Sequence, residues 1–400
     1  MSTSNESIFN YQNVECVAPF SSLFVNNAGQ GYPCCVYNNQ KNKLIDLDQT
    51  VISNFNNINS STRIDFLDYQ RNFDLYKDCH GCTSLDRNSF TQKTSQNLRA
   101  KSTIDYIKTP TLTSLHLKFS NLCNFACRMC DPYSSNLLAD DLRYSGPGYD
   151  SLRKNNKAVI KYINKESVFY KSIFDCLPNL NHLWFSGGET LLQEEVWEIL
   201  NYLATSGYSK NIELQLNTNG SIKLNQQELK VLDSFGNLNL QISIDGIGKL
   251  AEYIRTNLVW EKWIANFDEY KDKLGHHSGF SVSIAISTFN IHKIQEIADF
   301  FEQEKKVPVH FNFVVGPIDS TVGYNINEKA KQHLIKIYTT TRYHRKDEIF
   351  SFIRNHPKIN VNFLTDLIDA RDNYLIERNI YRNFRPFRDV EPEWYNVLKG

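Results

Sequence analysis

The sequence lacks three features that would assign it to a common functional class. It has no surplus of charge, because 44 Lys and Arg residues balance 44 Asp and Glu residues, which argues against a nucleic-acid coat or a polybasic membrane binder. No apolar run approaches the ~20 residues of a membrane span. The first residues carry neither the basic nor the apolar region of a secretory signal. We therefore expect a protein of the reducing cytoplasm, with neither membrane nor nucleic acid as a partner.

Cysteine, in contrast, is plentiful and grouped. Nine cysteines occur among 400 residues, and three of them lie close together as Cys123-x3-Cys127-x2-Cys130. In a reducing compartment, clustered cysteines indicate metal binding or catalysis more often than disulfides, and the odd total disfavours complete pairing. Thiolates at this spacing can bind one iron–sulfur cluster, and three of them leave one iron open for a non-protein ligand. We therefore predict a metal site at the triplet.

Strand-like and helical segments alternate after residue 110. The predicted strands are 113–120, 182–186, 211–217, 238–244, 280–287 and 309–315. Amphipathic patterns predict helices at 191–203 and 249–273. Alternation of this kind is typical of parallel βα units. Six units fall short of the eight in a closed barrel, so we predict an α/β fold with a partial, TIM-like (β/α)6 barrel.

Polar and apolar residues alternate within the predicted strands. In 211–217, Leu214 and Leu216 share one face, and Gln215 and Asn217 share the other. Strands of a parallel sheet are usually apolar on both faces. We therefore infer that the apolar residues face outer helices while the polar ones line an open interior with room for a hydrophilic ligand. The alternative is an antiparallel sheet with one solvent-exposed face.

The length predicts two or three domains, at roughly 150 residues each. Residues 1–110 are polar, weakly periodic and contain the first five cysteines, so we predict a loop-rich segment folded around a metal. Residues 111–320 form the predicted barrel, and 321–400 form a mainly helical tail. In that tail, arginines interleave with aromatic residues: Arg378, Tyr381, Arg382, Phe384, Arg385, Phe387 and Arg388. Such a tail could bind an acidic peptide or a nucleic-acid strand, or it could pack its rings on the barrel.

The cysteine triplet, in a loop after the first predicted strand, resembles the signature of the radical S-adenosylmethionine (radical SAM) superfamily. Three further motifs at strand ends are similar to those of the family. They are Ser186-Gly187-Gly188-Glu189, Thr218-Asn219-Gly220 and Ser243-Ile244-Asp245-Gly246. The resemblance covers about 111–316. It implies that the three cysteines hold a [4Fe–4S] cluster whose open iron binds S-adenosylmethionine (SAM).

The resemblance also implies which residues contact SAM near the cluster. Gly187 and Gly188 would let the backbone approach the ligand closely. Glu189 would offer its carboxylate to the ligand's ammonium group, or it is only an acid at the start of the next helix. Met129 stands where the family often has an aromatic residue that packs against the cofactor, and Met can substitute for it.

Five more residues are SAM-binding candidates by the same resemblance. Ser243 and Asp245 would bond the ribose hydroxyls or the ligand carboxylate, or form a strand-end turn, since Asp-Gly is a common turn pair. Asn217 and Asn219 point to the same interior by strand parity. Arg255 would bind the ligand carboxylate in a bidentate manner, or it is an ordinary surface charge.

The chemistry that the resemblance implies is reductive cleavage of SAM. A reduced cluster would cleave SAM to methionine and a 5′-deoxyadenosyl radical, which abstracts hydrogen from a substrate, and the barrel would supply orientation and exclude water. The substrate would be a peptide, a protein or a small molecule. The electron donor would be a flavodoxin or a ferredoxin. The alternative is a non-catalytic protein that binds an iron–sulfur cluster or zinc on the same barrel.

A second cysteine framework lies before the barrel. Cys16, Gly29 and Cys34 fit a Cys-x12-Gly-x4-Cys pattern, and Cys79-x2-Cys82 follows. This resembles the twitch and SPASM auxiliary-cluster domains of radical enzymes, although those usually follow the barrel. The resemblance implies that these four cysteines hold a second, closed [4Fe–4S] cluster. Cys35 could replace Cys34, and a structural zinc site is the alternative.

Overall fold

The computed structural model describes a central sheet with its surrounding helices and loops. The described residues are 18–26, 29–34, 45–46, 111–141, 144, 159–314, 327–342, 346–347, 349, 364–377 and 384–399. Cys16, Cys35, Cys79 and Cys82 lie outside these ranges. Of the predicted auxiliary-cluster ligands, only Cys34 is described. Among the helices of the described residues, none has both the length and the apolar character that a membrane span requires.

One sheet organises the described part of the chain. Its strands are β1 (Ser22–Val25), β2 (Gln30–Tyr32), β3 (Ile45–Asp46), β4 (Ser114–Leu117), β6 (His182–Phe185), β7 (Glu213–Thr218), β8 (Asn237–Ser243), β10 (Ser281–Ile286) and β11 (Val309–Phe313). They follow the order β11-β10-β8-β7-β6-β4-β1-β2-β3. A separate antiparallel pair consists of β5 (Ala126–Cys127) and β9 (Arg255–Thr256).

The six predicted barrel strands are confirmed as β4, β6, β7, β8, β10 and β11. Neighbours among them pair in parallel throughout, so the antiparallel alternative is wrong. The sheet order ends at β11 on one side and at β3 on the other, and within the described residues the barrel is not closed. This is the partial barrel that the alternation of elements predicted.

The alternation of side chains along the strands is also confirmed. Leu214 and Leu216 of β7 are fully buried, whereas Gln215 and Asn217 are partly exposed on the opposite face. On that face a hydrogen-bonded ladder crosses three strands, since Trp184 Nε1 donates to Asn217 Oδ1 (2.7 Å) and Asn217 Nδ2 donates to Gln241 Oε1 (3.0 Å). The sheet therefore has one apolar, packed face and one polar face.

The N-terminal segment contributes strands to the barrel sheet. Strand β1 pairs in parallel with β4, and β2 and β3 extend the sheet by antiparallel pairing. The backbone amides of Thr111 and Thr113 donate to the carbonyls of Phe20 and Ser21 at 3.0 and 2.9 Å. Strands from both sides of residue 111 therefore belong to one hydrogen-bonded sheet. The domain boundary at this residue stays a prediction.

Helices surround the sheet and form the C-terminal region. They are α1 (Ala18–Ser21), α2 (Val168–Cys176), α3 (Glu194–Ser206), α4 (Gln226–Asp233), α5 (Gly248–Ile254), α6 (Trp260–Leu274), α7 (Ile294–Asp299), α8 (Glu328–Thr340), α9 (Leu364–Glu377), α10 (Phe387–Val390) and α11 (Pro392–Lys399). The predicted helix at 191–203 corresponds to α3, which follows a short 3-10 turn at Thr190–Leu192. The mainly helical tail is confirmed by α8 to α11.

The single helix predicted at 249–273 is wrong. The chain forms α5, then strand β9, then α6. Backbone groups that would continue the helix bond to another segment instead: Arg128 N donates to the Ile254 carbonyl (2.8 Å), and Arg255 pairs with Cys127. Asn257 then takes a positive φ of 83°, which an uninterrupted helix excludes. Long-range pairing has overridden a local helical pattern here.

The C-terminal region packs its aromatic rings on the barrel. Phe387 is fully buried and lies 5.0 Å from the Tyr253 ring and 5.2 Å from the Phe289 ring. Trp394 Nε1 donates to the Thr288 carbonyl at 2.8 Å. For the described part of the tail, the packing alternative therefore accounts for the aromatic residues. Arg378, Tyr381 and Arg382 lie outside the described residues.

Candidate active site

The loop that carries the cysteine triplet is fixed by side chains at both ends. Asn121 Nδ2 donates to the Pro132 carbonyl (2.9 Å), and Asn121 Oδ1 accepts from Ile160 N (2.7 Å). Ser135 Oγ donates to the Phe125 carbonyl at 2.7 Å. Because these bonds tie the loop to itself and to the chain near Ile160, the loop shape does not depend on the cysteines alone.

The three thiols converge in a largely buried place. Cys127 is buried, and Cys123 and Cys130 are partly exposed. Burial raises the pKa of Cys123 to about 12. A hydrogen bond between the Cys130 and Cys127 sulfurs raises the pKa of Cys130 and lowers that of Cys127. Soft thiolates of this kind are the ligands of iron–sulfur clusters, and metal binding stabilises their deprotonated form, so the donor set fits a cluster with one open iron.

Arg255 lies against this loop, and its counter-ion is Asp245. The Arg255 guanidinium is buried, with Nη1 3.9 Å from Cys127 Sγ and Nε 2.7 Å from Asp245 Oδ2. The Asp245 carboxylate is fully buried and also accepts from Ala285 N at 2.7 Å. Burial raises the pKa of Asp245, while Arg255 acts in the opposite direction. The surface-charge alternative for Arg255 is therefore wrong, and its position comes from the β5–β9 pairing.

Glu189 is fully buried and bonded to the chain. Its carboxylate accepts from Thr218 Oγ1 (2.6 Å), Asn219 N (2.7 Å) and Leu191 N (3.0 Å). Burial raises its pKa, and these hydrogen bonds oppose the rise. The bond to Leu191 is the helix-start role that we kept as an alternative. A carboxylate has about four acceptor positions, and these three bonds leave about one of them open. Contact of Glu189 with the ammonium group of SAM therefore stays a prediction.

Gly188 lets two segments of the chain approach each other. A Cβ atom at Gly188 would lie 2.2 Å from the Leu122 carbonyl oxygen, and its φ is +52°. The same oxygen accepts from Glu189 N at 2.7 Å. The glycine therefore brings the strand end onto the cysteine loop. Gly187 has a φ of +87° and faces the Lys118 side chain. A Cβ atom at Gly187 would lie 3.2 Å from Lys118 Cγ.

We expect Gly188→Ala to lower the free energy of unfolding by about 2–4 kcal/mol, from left-handed strain plus overlap with Leu122. Gly207 offers a matched control, because its φ is +80° but no atom lies within 4 Å of a built Cβ. Gly207→Ala should therefore cost only the strain, about 1–2 kcal/mol. Urea unfolding of both variants checks this, and equal losses would contradict the close-approach role of Gly188.

The remaining candidates fall into two groups. Asn219 belongs with the cysteines, since its Nδ2 donates to Asn124 Oδ1 (2.9 Å) and lies 3.9 Å from Cys123 Sγ. Met129 is partly buried and packs against the core. Asn217 instead belongs to the ladder on the polar face of the sheet. Ser243 ends β8, is partly exposed and lies opposite Ser283. Their roles toward SAM stay predictions.

The sequence analysis missed Arg128 and its partner. Arg128 is fully buried, its Nη2 lies 2.5 Å from Asp372 Oδ1, and its guanidinium carbon lies 4.0 Å from the centre of the Tyr253 ring. Asp372, in α9, also accepts from Phe387 N at 2.7 Å. A charged residue between two cysteines suggests an exposed side chain, and nothing local points to a partner 244 positions away.

Comparisons with known proteins agree with the geometry. A sequence model of the radical SAM superfamily matches residues 117–301. A second, for the SPASM iron-sulfur cluster-binding domain, matches residues 16–83. That match supports an auxiliary iron–sulfur cluster over zinc and places the SPASM segment before the barrel, as the cysteine framework predicted. No curated protein matches the sequence significantly.

Two solved structures are among those similar to this chain. "Native anSMEcpe with bound AdoMet" is 20% identical, with a TM-score of 0.41. The matched region covers 67% of this chain and 62% of the chain in that structure. "Native anSMEcpe with bound AdoMet and Kp18Cys peptide" is 16% identical, with a TM-score of 0.39 and the same coverage. This chain thus spans 62% of the length of these neighbours.

The candidate active site lies within the region that matches the radical SAM model. The radical SAM match includes the cysteine loop, Glu189, Asp245 and Arg255. The cofactors are accordingly SAM and a [4Fe–4S] cluster, with an auxiliary cluster in the SPASM segment. Residues 117–301 of the chain thus form a radical SAM domain, and residues 16–83 form a SPASM segment N-terminal to the barrel.

Proposed function

We propose that this protein cleaves SAM reductively at the Cys123–Cys127–Cys130 cluster and uses the resulting radical to abstract hydrogen from a substrate. The observation that carries the proposal is the position of the Arg255 guanidinium. Its Nη1 lies 3.9 Å from Cys127 Sγ, and its Nε lies 2.7 Å from Asp245 Oδ2. A barrel without catalytic use would not need a buried cation held beside a cluster ligand, because burial of a charge is costly. When bound, the cluster and SAM supply one-electron cleavage of a carbon–sulfur bond.

The protein's own groups would orient SAM and exclude water. Arg255, whose Nη1 lies 3.9 Å from Cys127 Sγ, would attract the carboxylate of SAM. Glu189 fixes the Thr218–Asn219 turn through two hydrogen bonds and would present its remaining acceptor position to the SAM ammonium group. Because Asp245, Glu189 and Arg255 are buried, their charges act at low effective dielectric, where each contact is stronger than in water.

We propose that the substrate is a peptide or a protein. This rests on the SPASM match at 16–83 and on the resemblance of that segment to those of peptide-modifying radical enzymes. The partly exposed polar face of the sheet, with Gln215, Asn217 and Gln241, supplies donors and acceptors for a polar substrate. The electron donor that we propose is a flavodoxin or a ferredoxin. Free thiols and iron–sulfur sites fit the reducing cytoplasm.

Anaerobic reconstitution with iron and sulfide tests the proposal. We expect about eight irons per chain for two [4Fe–4S] clusters and, with dithionite and SAM, formation of 5′-deoxyadenosine. Cys127→Ala should abolish this product and lower the iron content. Cys176→Ala is the matched control, because Cys176 is also buried but lies at the end of α2, and it should retain both. An intact cluster that never cleaves SAM would favour the non-catalytic alternative.

A further inference from the structure

A group of metal-ligating side chains lies far from the cysteine loop. Asp233 is the last residue of α4, and His276 and His277 follow the end of α6 at Leu274. These helices lead into β8 and β10, so the group lies at the edge where the parallel strands begin. The cysteine loop follows the end of β4 and therefore lies at the opposite edge.

The ligand atoms of the three residues are spaced like those around a metal ion. All three lie within 4.8 Å of one another. Asp233 Oδ1 is 3.1 Å from His276 Nε2 and 3.3 Å from His277 Nε2. Around a tetrahedral zinc ion with bonds of ~2.0–2.2 Å, neighbouring donor atoms lie about 3.3–3.5 Å apart. The two measured separations are close to this range.

Hydrogen bonding accounts for only one of the two contacts. The approach of His277 Nε2 to Asp233 has hydrogen-bond geometry, whereas that of His276 Nε2 does not. Both Nε2 atoms approach the same oxygen, Asp233 Oδ1. The centres of the two imidazole rings lie 4.3 Å apart, with 34° between their planes. The loop itself is fixed, since His277 N donates to the Leu274 carbonyl and Phe280 N to the His277 carbonyl.

We propose that Asp233, His276 and His277 bind a divalent transition-metal ion. Two imidazoles and one carboxylate suit Zn²⁺ and its neighbours better than Mg²⁺ or Ca²⁺, which take mainly oxygen ligands. Three protein ligands leave a position for water. The bound ion would join the ends of α4 and α6, and it would stabilise the barrel without touching the radical SAM site.

Zinc binding to the full chain tests this proposal. The chain is first reconstituted anaerobically with iron and sulfide so that the cysteine sites are filled, and it is then dialysed against Zn²⁺. We expect His276→Ala and Asp233→Asn each to lose one equivalent of bound zinc. His310→Ala is the matched control, because His310 is an exposed histidine on β11, and it should keep that equivalent.

Thermal unfolding supplies a second measurement. Zn²⁺ should raise the Tm of the unchanged chain and of His310→Ala, because an ion that binds only the folded state stabilises it. The Tm of His276→Ala should not respond, and its value without zinc should match the unchanged chain, since His276 is 62% exposed. Equal zinc content and equal Tm shifts in all variants would overturn the proposal.

Discussion

Asp372→Asn is expected to lower the free energy of unfolding by about 3–5 kcal/mol, because it leaves the buried Arg128 charge without its carboxylate. Arg128 Nη2 and Asp372 Oδ1 are 2.5 Å apart, and both side chains are at most 1% exposed. Water cannot replace the lost charge at such a site. Urea unfolding of the reconstituted protein measures the loss.

The same substitution should also lower iron retention at the catalytic cluster. Arg128 lies between Cys127 and Cys130, which we propose as cluster ligands, and Asp372 holds it against the C-terminal region. A loop that loses this anchor presents its thiols less uniformly. We expect less iron per chain and a broadened electron paramagnetic resonance signal from the reduced cluster at the Cys123–Cys127–Cys130 site.

Two further variants sharpen this test. Asp366→Asn is the matched control, because Asp366 lies in the same helix but is exposed, and it should change stability by at most about 0.5 kcal/mol. The double variant Arg128→Met with Asp372→Asn removes both charges and should recover part of the stability. A loss no larger than that of Asp366→Asn would contradict the anchoring role.

Asp245→Asn is expected to weaken SAM binding by about 10- to 100-fold, the equivalent of one charge-assisted hydrogen bond. Asp245 holds Arg255 through a 2.7 Å contact, and Arg255 Nη1 lies 3.9 Å from Cys127 Sγ. Without its counter-ion, the guanidinium should leave this position. Equilibrium dialysis of SAM with the reconstituted protein measures the affinity.

Two controls separate positioning from general damage. Asp268→Asn removes an exposed carboxylate that pairs with Lys305 at 2.7 Å; a surface pair contributes about 0–1 kcal/mol, and SAM affinity should not change. Arg255→Lys keeps the charge but lacks the planar guanidinium, so it should retain little of the SAM affinity of the unchanged protein. Unchanged SAM affinity in Asp245→Asn would show that Asp245 does not position the cofactor pocket.

The sequence predicted most of what is periodic or local. Alternation in 211–217 predicted β7 and its two faces, since strand side chains alternate regardless of their neighbours. The spacing of Cys123, Cys127 and Cys130 predicted a metal site, because three thiols within one short loop can reach the same cluster. The motif at Gly188 was found as well; the structure shows the close approach of this glycine to Leu122, and its contact with SAM stays a prediction.

Contacts between distant segments were beyond the reach of periodicity. The pattern at 249–273 is helical, yet the chain breaks there so that Arg255 can pair with Cys127. The break depends on hydrogen bonds from another loop, and no local propensity encodes those. For the same reason, nothing near Arg128 indicated Asp372, which lies in a helix of the C-terminal region.

The sequence by itself determined the α/β alternation and the resemblance to radical SAM and SPASM proteins, and it predicted the cysteines of the cluster. The tertiary structure alone decided which charges surround that cluster. Arg255 and Arg128 are both buried, and each has a carboxylate partner from another element, Asp245 and Asp372. A buried charge is tolerated only where an opposite charge is placed beside it, and only the folded chain places those partners.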